Sequence, residues 1–219
     1  MKKFKLIIFE GIDGSGKSTQ AKYFAKKLNA FYFREPKFFR REILQKIHPL
    51  TELFLFLADR SEVYSRIKNL HGLNGSKTDQ YGYKINKYPH KSVQNPHKSV
   101  YIILDRSFPS TLAYQLIGRN LKKLISIDDY LKIDFLARQK IEPDLVIVFD
   151  VPVNIALKRL KKKTKFEEKK FLIKVRKAYL GLAKKFNWYV VDGTKDKKEV
   201  RKNVWLILKE RSLLKGKEK

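Results

Sequence analysis

Nine residues near the start narrow the possible folds more than any others: Gly11-Ile12-Asp13-Gly14-Ser15-Gly16-Lys17-Ser18-Thr19. The first eight fit the spacing G-x-x-x-x-G-K-[ST], which is that of a loop that wraps phosphates. Glycines let the backbone amides turn toward an anion with no Cβ in the way. The helix that follows aims its N-terminal amides at the same anion. Residues 11–19 are therefore candidate ATP-binding positions, with Lys17 reaching the β and γ phosphates and Ser18 ligating Mg²⁺. The context agrees, because an apolar run (Phe4–Glu10) precedes the loop and helical periodicity (Lys17–Leu28) follows it. The basic start before Phe4 raises the question of a signal peptide. Its apolar part is short and Glu10 follows, so it reads as a first strand.

Four further short runs are rich in β-branched and aromatic residues: Ala30–Arg34, Val100–Asp105, Leu145–Asp150 and Trp188–Asp192. Helical periodicity separates them, near Thr51–Leu70, Pro109–Gly118, Ile127–Lys140, Val153–Lys161, Glu168–Phe186 and Lys195–Leu214. Strands spaced by helices imply right-handed βαβ units and a mostly parallel α/β sheet in a single domain of residues 1–219. Continuously apolar strands such as Leu145-Val146-Ile147-Val148-Phe149 fit a sheet covered on both faces.

Residues 71–99 break the rhythm as a polar, basic, tyrosine-bearing insertion in which Pro-His-Lys-Ser-Val occurs at 89–93 and again at 96–100. His71, His90 and His97 lack close ligand spacing and carboxylate partners, so no metal site is expected there. No apolar run is long enough to span a membrane, and the absence of cysteine excludes disulfides and thiolate metal sites. The net charge of +28 would attract polyanions. Because the lysines are spread along the whole chain, a lysine-rich surface is the simpler reading, and nucleic acid is not the expected partner. A cytoplasmic location is the default expectation.

Two of the more hydrophobic strands end in aspartate, at Asp105 and Asp150, where a carboxylate can hold a metal's water shell, directly or through water. Arg106 follows Asp105 and would place a cation beside transferring phosphates. There is no Asn-Lys-x-Asp guanine-reading motif and the chain is short for a helicase, which leaves a small kinase.

At this point the resemblance to a family becomes specific. Phe9–Gln20, Arg34-Glu35-Pro36, Leu55-Phe56-Leu57-Ala58-Asp59-Arg60, Asp105-Arg106-Ser107 with Ser110-Thr111-Leu112-Ala113-Tyr114-Gln115, and Pro143-Asp144-Leu145 to Asp150-Val151-Pro152 resemble the successive blocks of thymidylate kinases. So do Phe166-Glu167, Val175-Arg176 and Tyr179-Leu180 after the lid. The resemblance implies a three-layer P-loop kinase fold with a five-stranded parallel sheet in the order 2-3-1-4-5, ATP and dTMP as substrates, Mg²⁺ and a homodimer. It implies that Phe56 stacks on thymine, Arg60 hydrogen-bonds a base carbonyl, and Tyr114 excludes a ribose hydroxyl. Thr111 and Gln115 would lie near the base, Asp13 near the sugar 3′-hydroxyl or a metal-bound water, and Arg106 between acceptor and donor phosphates. The plainer alternatives are core aromatics at Phe56 and Tyr114 and a solvated Asp59–Arg60 pair.

A monophosphate is largely dianionic at neutral pH, its second pKa being about 6, so transfer to it needs positioning and charge neutralisation rather than a general base. Residues 158–166 read as the lid over ATP. Ser15 excludes a phosphate-loop arginine, so Arg159 is the candidate arginine, with lysines beyond it. Arg34, Lys37, Arg40 and Arg41 are candidates for holding the acceptor phosphate, Arg34 being the one that the family motif contains. Departures from the family are Lys37-Phe38-Phe39 in place of Gly-Gly-Thr, Ser107 in place of an aromatic, and the insertion. The nearest enzymatic rival is a deoxynucleoside kinase using Glu35 as base.

Overall fold

The computed structural model describes residues 4–70, 100–160, 166 and 168–213. Residues 71–99, and with them the insertion, lie outside that description, as do 161–165 and 167 of the segment read as a lid and its exit. Five strands form one sheet: β1 (Phe4–Glu10), β2 (Phe31–Arg34), β3 (Val100–Asp105), β4 (Leu145–Asp150) and β5 (Tyr189–Asp192). All pairings are parallel and the order is β2-β3-β1-β4-β5, as expected.

The pleat sends alternate residues of each strand to opposite layers. Leu6 and Ile8 of β1, Ile102 and Leu104 of β3, and Val146 and Val148 of β4 enter one core. That core is closed by α3 (Pro49–Asn69), α5 (Ile127–Ala137) and α7 (Lys169–Phe186). Ile7 and Phe9, Ile103, and Ile147 and Phe149 enter the other, under α1 (Lys17–Lys27) and α8 (Lys197–Glu210). This double covering explains why β4 is apolar throughout. Each fully buried Leu, Ile or Phe there contributes about 1.5–3 kcal/mol relative to exposure. Among the described residues, no helix is long and apolar enough to cross a membrane.

Parallel pairing also sets register, and register sets the site. Phe9 and Arg34 both pair with Asp105, and Glu10 pairs with Val148. Glu10, Arg34, Asp105 and Asp150 therefore gather at the carboxyl edge of the sheet, where open α/β sheets place their ligands. The expected helix near 109–118 is one turn, α4 (Phe108–Thr111), running into a π-helix (Leu112–Gly118). In it the Arg119 N–H donates to the Tyr114 carbonyl at 2.8 Å. A short α2 (Arg40–Ile43), a single 3₁₀ turn (Leu121–Lys123) and α6 (Val153–Arg159) complete the described chain.

Candidate active site

The phosphate loop leaves β1 and enters α1 through Gly16, which gives no side-chain cap, so the helix N-terminus faces the loop with its amide dipoles uncapped. Gly14 has φ of 82°, and a Cβ there would meet the Ala156 carbonyl oxygen at 2.2 Å. The loop is thus pressed against α6 at a point only glycine allows. Lys17 is 3% exposed, and its Nζ lies 3.3 Å from the Ile12 carbonyl and 3.4 Å from Asp13 Oδ1. Burial, with Arg106 nearby, pushes its pKa below the usual lysine value, although Asp13, Asp105 and Glu10 pull the other way.

Arg106 sits at φ 77°, a left-handed backbone that turns its side chain back across the loop. Its Nη2 donates to Asp13 Oδ1 at 2.7 Å and its Nη1 to Ser110 Oγ at 2.9 Å. Burial alone would raise the Asp13 pKa, but Arg106 and Lys17 outweigh it and hold the carboxyl well below the usual carboxylate range. Beneath Arg106 lies Glu10, fully buried, which accepts from the Ser107 N–H, the Ser110 hydroxyl and the Tyr179 hydroxyl at 2.7–2.8 Å. Burial raises the Glu10 pKa against the opposing influence of Arg106. Asp105 accepts from the Tyr32 hydroxyl at 2.9 Å on Oδ2, while its Oδ1 is buried without a hydrogen-bond partner. Asp150 is bound at both oxygens by Arg176, at 2.7 and 2.8 Å. Of Asp105 and Asp150, Asp105 is the one with an oxygen to spare.

Arg60 is 1% exposed, and each of its five N–H bonds has an acceptor. Nε and Nη2 donate to Glu35 Oε2 at 3.1 and 2.8 Å. Nη1 donates to Asp134 Oδ1 at 2.7 Å and to the Tyr130 hydroxyl at 3.1 Å, and Nη2 also to Thr111 Oγ1 at 3.0 Å. Its neighbour Asp59, fully buried, accepts the backbone N–H groups of Lys37, Phe38 and Phe39 at 2.5–2.9 Å. The Asp59–Arg60 pair on α3 thus holds both sides of the turn through the cis Glu35–Pro36 bond. Glu35 Oε1 accepts from Ser107 Oγ at 3.3 Å. Burial raises the Glu35 pKa to about 8, with Asp59 and Asp134 adding to it and Arg60 opposing.

The Tyr114 ring, 5% exposed, meets Phe166, Phe171 and Tyr179 edge-on, and the Arg106 guanidinium lies 5.1 Å from its centroid. Phe56 is half-buried and packs against the larger core. Gln115 Nε2 donates to Glu52 Oε1 on α3 at 2.8 Å. Arg34 is exposed, with Nε 3.8 Å from Asp105 Oδ2. Arg159 ends α6 and donates to the Gly193 carbonyl at 2.9 Å.

Comparison with known proteins adds to this geometry. The family model for thymidylate kinase matches residues 9–74 and 85–204. The chain belongs to the thymidylate kinase family. A protein named probable thymidylate kinase 1 from Saccharolobus solfataricus is 36% identical, over 90% of this chain and 92% of its own length. A thymidylate kinase from Thermosipho melanesiensis is 34% identical, over 87% and 90%. Among solved structures, thymidylate kinase from Ehrlichia chaffeensis is similar with a TM-score of 0.64 and 25% identity, covering 94% of this chain and 98% of that one.

Against the thymidylate kinase motifs, the structure brings Asp13, Lys17, Asp105, Arg106 and Tyr114 to one edge of the sheet. Arg60 departs from the expectation of a donor aimed at a base carbonyl, because four buried acceptors from three segments take all its N–H bonds. The alternative of a solvated Asp59–Arg60 pair fails as well, since both side chains are buried. Ser107, standing where the family has an aromatic, is fully buried between Glu35 and the Tyr64 hydroxyl, so the departure is absorbed by a hydrogen-bond network. Sequence reasoning missed Glu10 as a hub, Tyr130 and Asp134 as partners of Arg60, and Arg176 as the partner of Asp150. The buried acids carried one usable signal: each sits in or beside an otherwise apolar segment, where an unpaired carboxylate would be costly.

Proposed function

We propose that this chain transfers the γ-phosphoryl group of ATP to dTMP, giving ADP and dTDP on the way to dTTP. The observation that carries the reading is the 2.7 Å bond between Asp13 of the phosphate loop and Arg106 of the β3 exit. It sets one guanidinium between the loop that would cradle the donor phosphates and the Tyr114 side, where the acceptor would lie. The loop amides, Lys17 and Arg106 neutralise charge on the transferring group, and positioning does the rest. The acceptor phosphate is its own nucleophile, so no residue has to remove a proton.

Mg²⁺ belongs to the proposal. The spare buried oxygen of Asp105, close enough to Lys17 to influence its pKa, fits a carboxylate that holds the ion's water shell, with Ser18 on the first turn of α1. When bound, the ion would offset charge on the phosphates. On the acceptor side, Arg34 beside Asp105 is the cation proposed to hold the dTMP phosphate. Phe56 offers a face for the base, Thr111 and Gln115 its polar neighbours, and Tyr114 fills the space that a 2′-hydroxyl would need. Arg60 is proposed to bear on the base through Thr111. Arg159, beside the phosphate loop at Gly193, is proposed to contact the ATP side, with the 158–166 segment as lid. A homodimer and a cytoplasmic location complete the reading. Phe54 on α3 and Ile133 and Leu136 on α5 supply exposed apolar surface on two packed helices, and sedimentation velocity tests the dimer.

The deoxynucleoside kinase reading needs Glu35 as an accessible base. Glu35 is 2% exposed, with one oxygen bound by Arg60 and the other by Ser107, which speaks against it. ADP formation from ATP and Mg²⁺ with dTMP, dUMP, dCMP, AMP, ribose TMP or thymidine separates the two. Preference for dTMP supports the proposal, and turnover with thymidine alone overturns it.

A further inference from the structure

Two of the four acceptors around Arg60 come from α5, an element that the substrate-side motifs do not include. Asp134 is fully buried and takes Arg60 Nη1 on Oδ1 at 2.7 Å and Arg138 Nε on Oδ2 at 2.5 Å. Tyr130, one turn earlier and also fully buried, accepts from Arg60 Nη1 at 3.1 Å and donates to Asp134 Oδ1 at 3.2 Å. The two face one half of the guanidinium, while Glu35 and Thr111 face the other.

We propose that Asp134 and Tyr130 of α5 are positioning residues of the acceptor side, fixing Arg60 and through it Glu35 and Thr111. A guanidinium is planar, so pinning Nη1 at α5 fixes the direction in which Nε and Nη2 point. Those two nitrogens hold Glu35, which opens the Pro36–Phe39 turn, and Thr111, which leads into the π-helix bearing Tyr114 and Gln115. Two guanidinium groups (Arg60, Arg138) and two carboxyl groups (Glu35, Asp134) alternate in this buried site, with Asp134 the link between the two arginines. Loosening Asp134 would therefore tilt both acceptor-side segments, leaving the phosphate loop untouched. This inference rests on the dTMP reading above.

The test uses full-length protein and two variants, Asp134→Asn and the milder Tyr130→Phe, which keeps the ring and removes one acceptor of Arg60. The KM for dTMP is expected to rise about tenfold in Asp134→Asn and by a smaller factor in Tyr130→Phe, with KM for ATP within about twofold of wild type. In a cycle with Arg60→Lys, the Asp134→Asn change is expected to add less than about twofold to KM for dTMP, since both act through one guanidinium. Equal changes in KM for ATP and dTMP, no change in either, or full additivity with Arg60→Lys would each overturn the proposal and leave α5 a purely stabilising element. If Asp134→Asn does not fold, the same comparisons on Tyr130→Phe decide. Wild-type turnover with dTMP is read first. Its absence counts against the dTMP reading itself, and the KM split is then measured with whichever acceptor in the panel turns over.

Discussion

Replacing Arg60 by methionine keeps a long apolar stem and removes five N–H donors at once. Glu35 then loses its charged partner in a site that is at most 2% exposed, Asp134 keeps Arg138 alone, and Thr111 and Tyr130 lose a donor each. Breaking a buried ion pair from one side costs roughly 3–5 kcal/mol. For a chain of this size that corresponds to a fall in Tm of roughly 6–20 °C. The pH dependence has a definite sign. The ordinary Glu35 pKa of 4.5 is raised to about 8 in the folded protein. The folded state thus keeps a proton between those values that the unfolded chain has released, and this group's favourable contribution is present below about 4.5 and lost as pH rises through about 8. Without Arg60 the one large opposing influence disappears, so protonation becomes the main relief for the buried Glu35 carboxyl. Arg60→Met should therefore lose more stability at pH 9 than at pH 6, measured by urea and thermal unfolding against wild type. A loss below about 0.5 kcal/mol, typical of surface changes, or one independent of pH, would refute the reasoning.

Other expectations follow from the same geometry. Lys17→Ala should lower kcat by about 10²–10³ in an ADP-release assay. Because it deletes a buried ammonium whose pKa is already depressed by burial, it should leave Tm unchanged or raised. Gly14→Ala places a Cβ 2.2 Å from the Ala156 carbonyl at φ 82°, so it should cost about 1–3 kcal/mol in unfolding experiments and raise KM for ATP. Asp105→Asn should raise the Mg²⁺ concentration for half-maximal rate, read by titrating the metal. Asp150→Asn, whose carboxylate is occupied by Arg176, should not.

The sheet was legible because its signals are local. Three strands have the bounds that composition suggests, and β2 and β5 begin one residue later than expected, at Phe31 and Tyr189. Helix ends moved by up to four residues, α5 stopping at Ala137 rather than Lys140 and α8 at Glu210 rather than Leu214, and capping chemistry decides some of them. At the start of α8 the Asp196 side chain accepts from the Lys198 and Glu199 N–H groups, so the helix begins at Lys197 rather than Lys195. Two features were out of reach. The π register at Leu112–Gly118 depends on N–H groups reaching carbonyls five residues back rather than four, which no periodicity in so short a stretch reveals. The surroundings of Arg60 depend on contacts 25, 51, 70 and 74 residues away in sequence. The plainer alternative of a solvated pair with its neighbour Asp59 also misses this, because their carboxylate and guanidinium have different partners.

The central claim is that phosphoryl transfer to dTMP is what this site does, so the most direct measurement is of the product. Purified protein is incubated with ATP, Mg²⁺ and dTMP, and dTDP and ADP are quantified together by anion-exchange chromatography. Equimolar dTDP and ADP, with both formed about 10²–10³ times more slowly by Lys17→Ala, is the result that the proposal requires. ADP without dTDP, whatever the rate, would mean that the loop serves hydrolysis or another acceptor, and would contradict it.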